Sequence, residues 1–420
     1  MSVHWNPPKS ELDVKANGLS PEDVEVDSLA IASSRLHVTR TDCEPLTTPI
    51  YHSSTYKTIS IDQYLGVLQN GGYIYSRLGN PTCEAAECSI NALEGGAGSI
   101  VFTSGMAAIT TTLIGLLSAG DHVVICEPVY SGTLVFAKGT LLRLGIEVSF
   151  IEANNVKEYR EAIKPNTKLL YAEVPRNPTI DVLDLEEFGK LGKDHPNLVT
   201  FVDCTFASPY LQQPIKYGID ISMHSCTKYL GGHSDLLGGC LTLRTVELWK
   251  KIKVIAVTMG ATLSPWDASL LIRGIKTLPI RMQRISSTAL KLATFLEKHP
   301  KIARVHYPGL PSDPSHEIAK RQMSPKGFGG MISFEIKGGI EAGKTLVEGV
   351  KLIHLAVSLG GVESLIEHPA TMTHGSMVMS DEERRTGRIT PGLIRFSVGL
   401  EDPDDLQKDL AQALSKVKSD

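Results

Sequence analysis

Between residues 81 and 245, short apolar runs of β type are separated by stretches of helical periodicity, and this alternation leaves the chain few folds to adopt. The runs are SIVFT (99–103), HVVIC (122–126), IEVSFI (146–151), KLLYAEV (168–174), LVTFVD (198–203) and ISMHSCT (221–227). Most are continuously apolar, as expected of strands buried on both faces. Between them, AAITTTLIGLLSAG repeats apolar residues at helical spacing, with Gly120 placed to end the helix. The pattern predicts an α/β fold: a mostly parallel sheet covered by helices.

After about residue 280 the pattern changes. The amphipathic stretch RMQRISSTALKLATFLEKHP leads into MISFEIKG, LIHLAVS and LIRFSVGL, with helical segments between and after them, which predicts a smaller α+β domain. A chain of 420 residues exceeds what one core usually serves. The expected division is therefore a leader and arm over 1–80, a large domain over 81–280 and a small domain over 281–420. The arm is expected to pack against a neighbouring subunit.

A net charge of -4 gives no electrostatic reason to expect nucleic acid or an anionic membrane as partner. Seven cysteines without a C-x-x-C pair argue against a disulfide framework or a zinc knuckle, so no metal is expected. Buried reduced thiols in the cytoplasm fit best. The polar start MSVHWNPPKSELDVKANG does not read as a secretory signal. No apolar run approaches the roughly 20 residues of a membrane helix.

Three features bear on chemistry. TSGMAA (103–108) follows an apolar strand and opens a helix, so the N–H groups of Gly105 and Met106 either hold an anion or simply form a tight turn. Asp203 ends the run LVTFVD, where a carboxylate either faces a ligand crevice or caps a turn. Lys228, in HSCTKYLGGHSD, sits between an apolar strand and a glycine pair. It is either a surface charge or an enclosed amine whose pKa falls toward nucleophilicity. Ser225 and Thr227 place hydroxyls beside it. A phosphate-binding turn, a carboxylate and an enclosed lysine together meet the needs of pyridoxal 5′-phosphate (PLP): a phosphate seat, a partner for the ring nitrogen and an imine-forming amine.

SGMAA, FVDCTFASPY, SCTKYLGGHSD, YSRLGNPT (75–82) and IRFSVGLED (394–402) strongly resemble the Cys/Met-metabolism PLP enzymes of the type I, aminotransferase-like fold. The resemblance runs from about residue 30 to the C-terminus. YPGLPSDPSHEIAKRQ and SLGGVESLIEHPATMTH read most like the cystathionine γ-lyase branch. The resemblance implies Lys228 as the cofactor lysine and catalytic base, Asp203 on the ring nitrogen, and Tyr130 both stacked on the ring and in catalysis. It implies Asn177, Ser358 and Arg395 around the substrate, with Asn177 also touching the cofactor. Tyr75 and Arg77 would hold the cofactor phosphate of the adjacent subunit, in a homotetramer made of two dimers. The implied reaction is α,γ-elimination of L-cystathionine to cysteine, 2-oxobutyrate and ammonia, within trans-sulfuration. Methionine γ-lyase, or cystathionine β-lyase giving homocysteine and pyruvate, are the alternatives. A Rossmann nucleotide binder is disfavoured, since no G-x-G-x-x-G follows the first strand.

The chain departs from that branch in places that touch specificity. Ile74 precedes the Tyr-Ser-Arg motif where an acid is usual, and Ala356-Val357-Ser358 replaces Ala-Glu-Ser. Methionine γ-lyases are apolar at both places, yet the cysteine they carry after the stacking tyrosine is Gly132 here.

Overall fold

The computed structural model of the chain describes Pro7 and residues 24–32, 45–151 and 155–418; most of the expected leader and Cys43 lie outside them. Seven strands form the first sheet: β1 (Gly98–Phe102), β2 (His122–Cys126), β3 (Glu147–Ile151), β4 (Thr167–Glu173), β5 (Val199–Asp203), β6 (Ile221–Ser225) and β7 (Gly239–Leu243). Their order is β1-β7-β6-β5-β4-β2-β3. From β6 to β3 the neighbours are parallel, while β7 runs antiparallel to both β1 and β6. The sheet is thus mostly parallel, as its apolar runs require. Val123, Val124 and Ile125 are wholly enclosed, each worth roughly 1.5–3 kcal/mol of burial.

Two local expectations give way to competing hydrogen bonds and to a short pattern. The helix read as reaching Gly120 spans Gly105–Leu116 instead. The Ser118 N–H goes to the Asp121 carboxylate at 2.8 Å, and a side-chain acceptor of this kind competes with helix continuation. Gly120, at φ 88°, serves the following turn. Strand β7 is absent from the runs read in the sequence, because GCLTL follows a glycine and offers a brief, mixed pattern.

The helix Leu278–Glu297 leads from this layer to a second sheet. Its strands are β8 (Ile302–His306), β9 (Met331–Ile336), β10 (His354–Leu355), β11 (Leu365–Glu367) and β12 (Leu393–Ser397), in the order β10-β11-β12-β9-β8. Only β10 and β11 are parallel. The helices Gly339–Gly349 and Pro403–Lys416 pack together beside it.

One buried cation ties the connecting helix to the segment after β6. Arg281, on the connecting helix, donates to Tyr229 O and Gly274 O, both at 2.7 Å, and to Thr277 Oγ1 at 3.0 Å. Burial pushes its guanidinium down to about 10. A Cβ on Gly232 (φ 73°) would lie 2.1 Å from Arg281 Nη1, so only glycine lets the chain pass over the cation. No helix among the described residues is long and apolar enough to cross a membrane.

Candidate active site

The carboxyl ends of β4, β5 and β6 open into a cavity of about 330 Å³, closed on the far side by the Val357–Leu359 loop and Arg395 of β12. Crevices at strand carboxyl ends are where open α/β sheets bind ligands. Every residue assigned a catalytic or binding role from the sequence lines this cavity except Tyr75 and Arg77; of the specificity positions, Val357 lines it, while Ile74, Gly132 and Ala356 do not.

Lys228 lies three residues past the end of β6. Its Nζ donates to Ser358 Oγ at 2.6 Å. Burial, then the Arg395 charge, push its ammonium down to about 8, with Glu367 opposing. Ser358 adopts φ 85°, rare for a residue with a side chain. That twist lets its hydroxyl face Lys228 while its carbonyl accepts from Arg395 Nη2 at 3.1 Å.

Asp203 is the last residue of β5. Its Oδ1 accepts from the Thr205 N–H at 3.0 Å and the Thr205 hydroxyl at 2.6 Å. The Oδ2 has only a long 3.5 Å contact from Tyr171. Burial raises the Asp203 carboxyl, although Thr205 and the His224 ring behind it pull the other way. Glu173 sits opposite Asp203 on β4. Burial first, then the neighbouring Asp203, drive the Glu173 carboxyl upward. Its Oε1 accepts from the Tyr130 N–H at 2.8 Å and its Oε2 from the Asn177 N–H at 3.3 Å. Glu173 was not singled out from the sequence; a lone acid closing an apolar run, KLLYAEV, was the only signal.

At the opposite end, Ser104 caps the helix Gly105–Leu116 by accepting from the Ala107 N–H at 3.0 Å. Among the described residues, the Gly105 and Met106 N–H groups have no partner. A Cβ on Gly105 would lie 3.3 Å from Ser225 Oγ, so the hydroxyl reaches this helix start closely. Thr227 Oγ1 accepts from the Gly238 N–H at 3.0 Å. This cluster of donors suits an anion.

Tyr130 is half exposed on the cavity wall. A Cβ on Gly132 would meet the Tyr130 ring at 2.8 Å and Met106 Sδ at 2.9 Å, so a cysteine there would force both aside. Arg395 is 5% exposed; its Nη1 donates to Asn177 Oδ1 at 2.9 Å and its Nη2 pairs with Glu367 Oε1 at 3.0 Å. Tyr75 and Arg77 stand apart from this cavity. Arg77 Cζ lies 5.5 Å from the Tyr75 ring centre, and Arg77 Nη1 donates to Val257 O at 3.0 Å.

A profile of the Cys/Met metabolism PLP-dependent enzymes matches residues 32–415. The chain belongs to that family. The L-methionine γ-lyase of Fusobacterium nucleatum subsp. polymorphum is 49% identical over 89% of this chain and 94% of its own length. A cystathionine β-lyase of Lactococcus lactis subsp. cremoris is 48% identical over 88% and 93% respectively. The crystal structure of cystathionine γ-lyase from Lactobacillus plantarum, complexed with L-serine, superposes with a TM-score of 0.88 at 39% identity, covering 94% of this chain and 100% of that one. The protein is therefore a PLP-dependent lyase of carbon–sulfur bonds on the type I fold.

The residues present fit the cofactor. An enclosed amine with a depressed pKa suits its aldehyde, the open Oδ2 of Asp203 suits its ring nitrogen, and the free N–H groups of Gly105 and Met106 suit its phosphate. One consequence is a pH dependence. The neutral amine is the reactive form, and its fraction rises as pH climbs through the depressed pKa. Stopped-flow capture of PLP by the cofactor-free protein should accelerate with pH and level off above about 8, where an ordinary lysine would still be gaining.

Proposed function

We propose that this enzyme expels a thiol from the γ-carbon of an L-amino acid, with L-cystathionine giving cysteine, 2-oxobutyrate and ammonia as the first reading. The observation that carries it is the meeting of Lys228 Nζ with the Arg395–Asn177–Ser358 cluster on one side of the cavity and Asp203 on the other. Bound PLP would supply the electron-withdrawing ring that acidifies the substrate's Cα proton. Arg395 and Asn177 would hold the substrate carboxylate, since a guanidinium with N–H donors to spare suits bidentate pairing with a carboxylate. Lys228, once free, would take the Cα proton as general base. Ser358 Oγ keeps the amine aimed meanwhile. Tyr130 would flank the ring and hand a proton to the departing thiolate. Tyr75 and Arg77 would reach the phosphate of a neighbouring subunit's cofactor, in a homotetramer of two dimers. A fully active monomer in sedimentation would exclude that last assignment.

A second reading, L-methionine, is favoured by the cavity's outer wall. Leu237 and Val357 line it, and the carboxylates among the lining residues, Glu173 and Asp203, both lie at the strand ends. Among the described residues, nothing on that wall pairs with the distal ammonium of cystathionine. The deciding experiment supplies each amino acid to the PLP-loaded enzyme and identifies the keto acid by mass spectrometry. Cysteine with 2-oxobutyrate supports the first reading. Turnover of methionine alone supports the second. Pyruvate with homocysteine would replace γ-elimination by β-elimination, and no keto acid from either substrate would overturn both readings.

A further inference from the structure

Glu367 stands directly behind Arg395. The two residues face each other across the antiparallel strands β11 and β12, with Nη2 and Oε1 3.0 Å apart and side-chain exposures of 5% and 1%. Thr373 donates its hydroxyl to the same Oε1 at 2.9 Å. The Thr373 oxygen lies 3.0 Å from His374 Nδ1. Burial, reinforced by Arg395, holds that ring neutral with its pKa down at about 4. The other oxygen of Glu367 is buried without a hydrogen-bond partner among the described residues. The contacts of this carboxylate therefore converge on Oε1, and through it on Arg395.

A guanidinium has five N–H donors. Asn177 and the Ser358 carbonyl engage two of them, and Glu367 adds an ion pair at Nη2, which leaves the Nε donor and one on Nη1 for a ligand. Without a carboxylate behind it, Arg395 would be a lone buried charge facing a buried lysine, and each would disfavour the other.

We propose that Glu367 is a positioning residue for recognition of the substrate's α-carboxylate: it holds the Arg395 guanidinium from behind and offsets its charge, so that Arg395 and Lys228 coexist in one cavity. The inference rests on Arg395 being the carboxylate clamp, as proposed above. Thr373, braced by His374, fixes the carboxylate that fixes the arginine.

Glu367→Gln keeps the shape and removes the charge. It is expected to raise KM for the amino-acid substrate by about tenfold or more, with a smaller change in kcat, because a misplaced clamp weakens binding before chemistry. The substrate's decarboxylated amine, which offers Arg395 nothing, should inhibit both forms equally. Glu367→Asp should recover part of the loss. In the cofactor-free protein, the pH at which Lys228 reacts half-maximally with an acylating probe, read by peptide mass spectrometry, should move down in Glu367→Gln. A role confined to folding would move neither the amine comparison nor that midpoint. Arg395→Lys separates the two ideas. If it raises KM while Glu367→Gln changes neither KM nor the midpoint, the inference is wrong and the clamp stands. If neither variant changes KM, the clamp reading falls and takes the inference with it. Should Glu367→Gln not fold, Thr373→Val is measured the same way: a rise in KM supports the proposal, and an unchanged KM overturns it.

Discussion

Lys228→Ala should lose at least about 10⁴-fold in turnover while folding normally. Lys228 carries the lysine amine on the cavity wall, and its neighbours cannot take over its work. Ser358 is a hydroxyl without a base beside it other than Lys228 itself. Asp203 has its Oδ1 held by Thr205, and its Oδ2 is the oxygen assigned to the ring nitrogen. Removing the side chain also takes away a buried positive charge, so stability should not fall; circular dichroism and thermal melting check this. Borohydride should fix the cofactor to the Lys228 peptide in the parent protein and to no peptide in the variant. Retained turnover, or cofactor fixed elsewhere, would refute the assignment.

Asp203→Asn is the second large effect, with an expected loss of about 10²–10³-fold in kcat. A carboxylate beside the ring nitrogen favours its protonated, electron-poor form, and a neutral amide does not. The structure adds a contrast that a simple loss of contact would not give. Asp203 is buried next to Glu173, and burial already disfavours its charge in the cofactor-free protein. An amide relieves that cost, so the cofactor-free variant should melt no lower than the parent while binding PLP more weakly. Melting with and without cofactor, alongside kcat, reads both halves. A variant that melts lower without cofactor but keeps its kcat would contradict this account.

The chain's sequence carries the central strands well because they are buried on both faces and so read as unbroken apolar runs. Strands β2 and β4 carry such runs, and β5 is broken only by Thr200, whereas β6 (ISMHS) stands out despite its polar residues. The antiparallel β7 lacks such a run, since a glycine opens it and threonine interrupts it. At the site, Lys228, Asp203 and Gly105 could be picked out because each occupies a strand or helix end whose geometry alone suggests a ligand. Glu173 and Glu367 could not. Each is a single acid at the end of a short run, and its importance lies in what faces it: Asp203 across β5, and Arg395 across β12. The Asn177–Arg395 hydrogen bond joins residues 218 positions apart, a separation that no local pattern encodes. Ser358 is similar, because the sequence places a hydroxyl in a loop and says nothing of the φ that turns its two oxygens to different partners.

The Arg281 clamp beneath the Lys228 loop has a consequence for how such an enzyme changes over generations. The segment that follows Lys228 is locked, with Gly232 lying against the guanidinium and Gly274 against the Gly231 carbonyl, where a Cβ would come within 2.3 Å. The rim is the reverse: Val357 and Leu237 are 55% and 65% exposed, and little packs upon them. Mutations in that packed segment are filtered by folding, while mutations on the rim are nearly free of that filter. Substrate preference in this scaffold is therefore open to drift by single replacements at its mouth, with the chemistry underneath inherited unchanged.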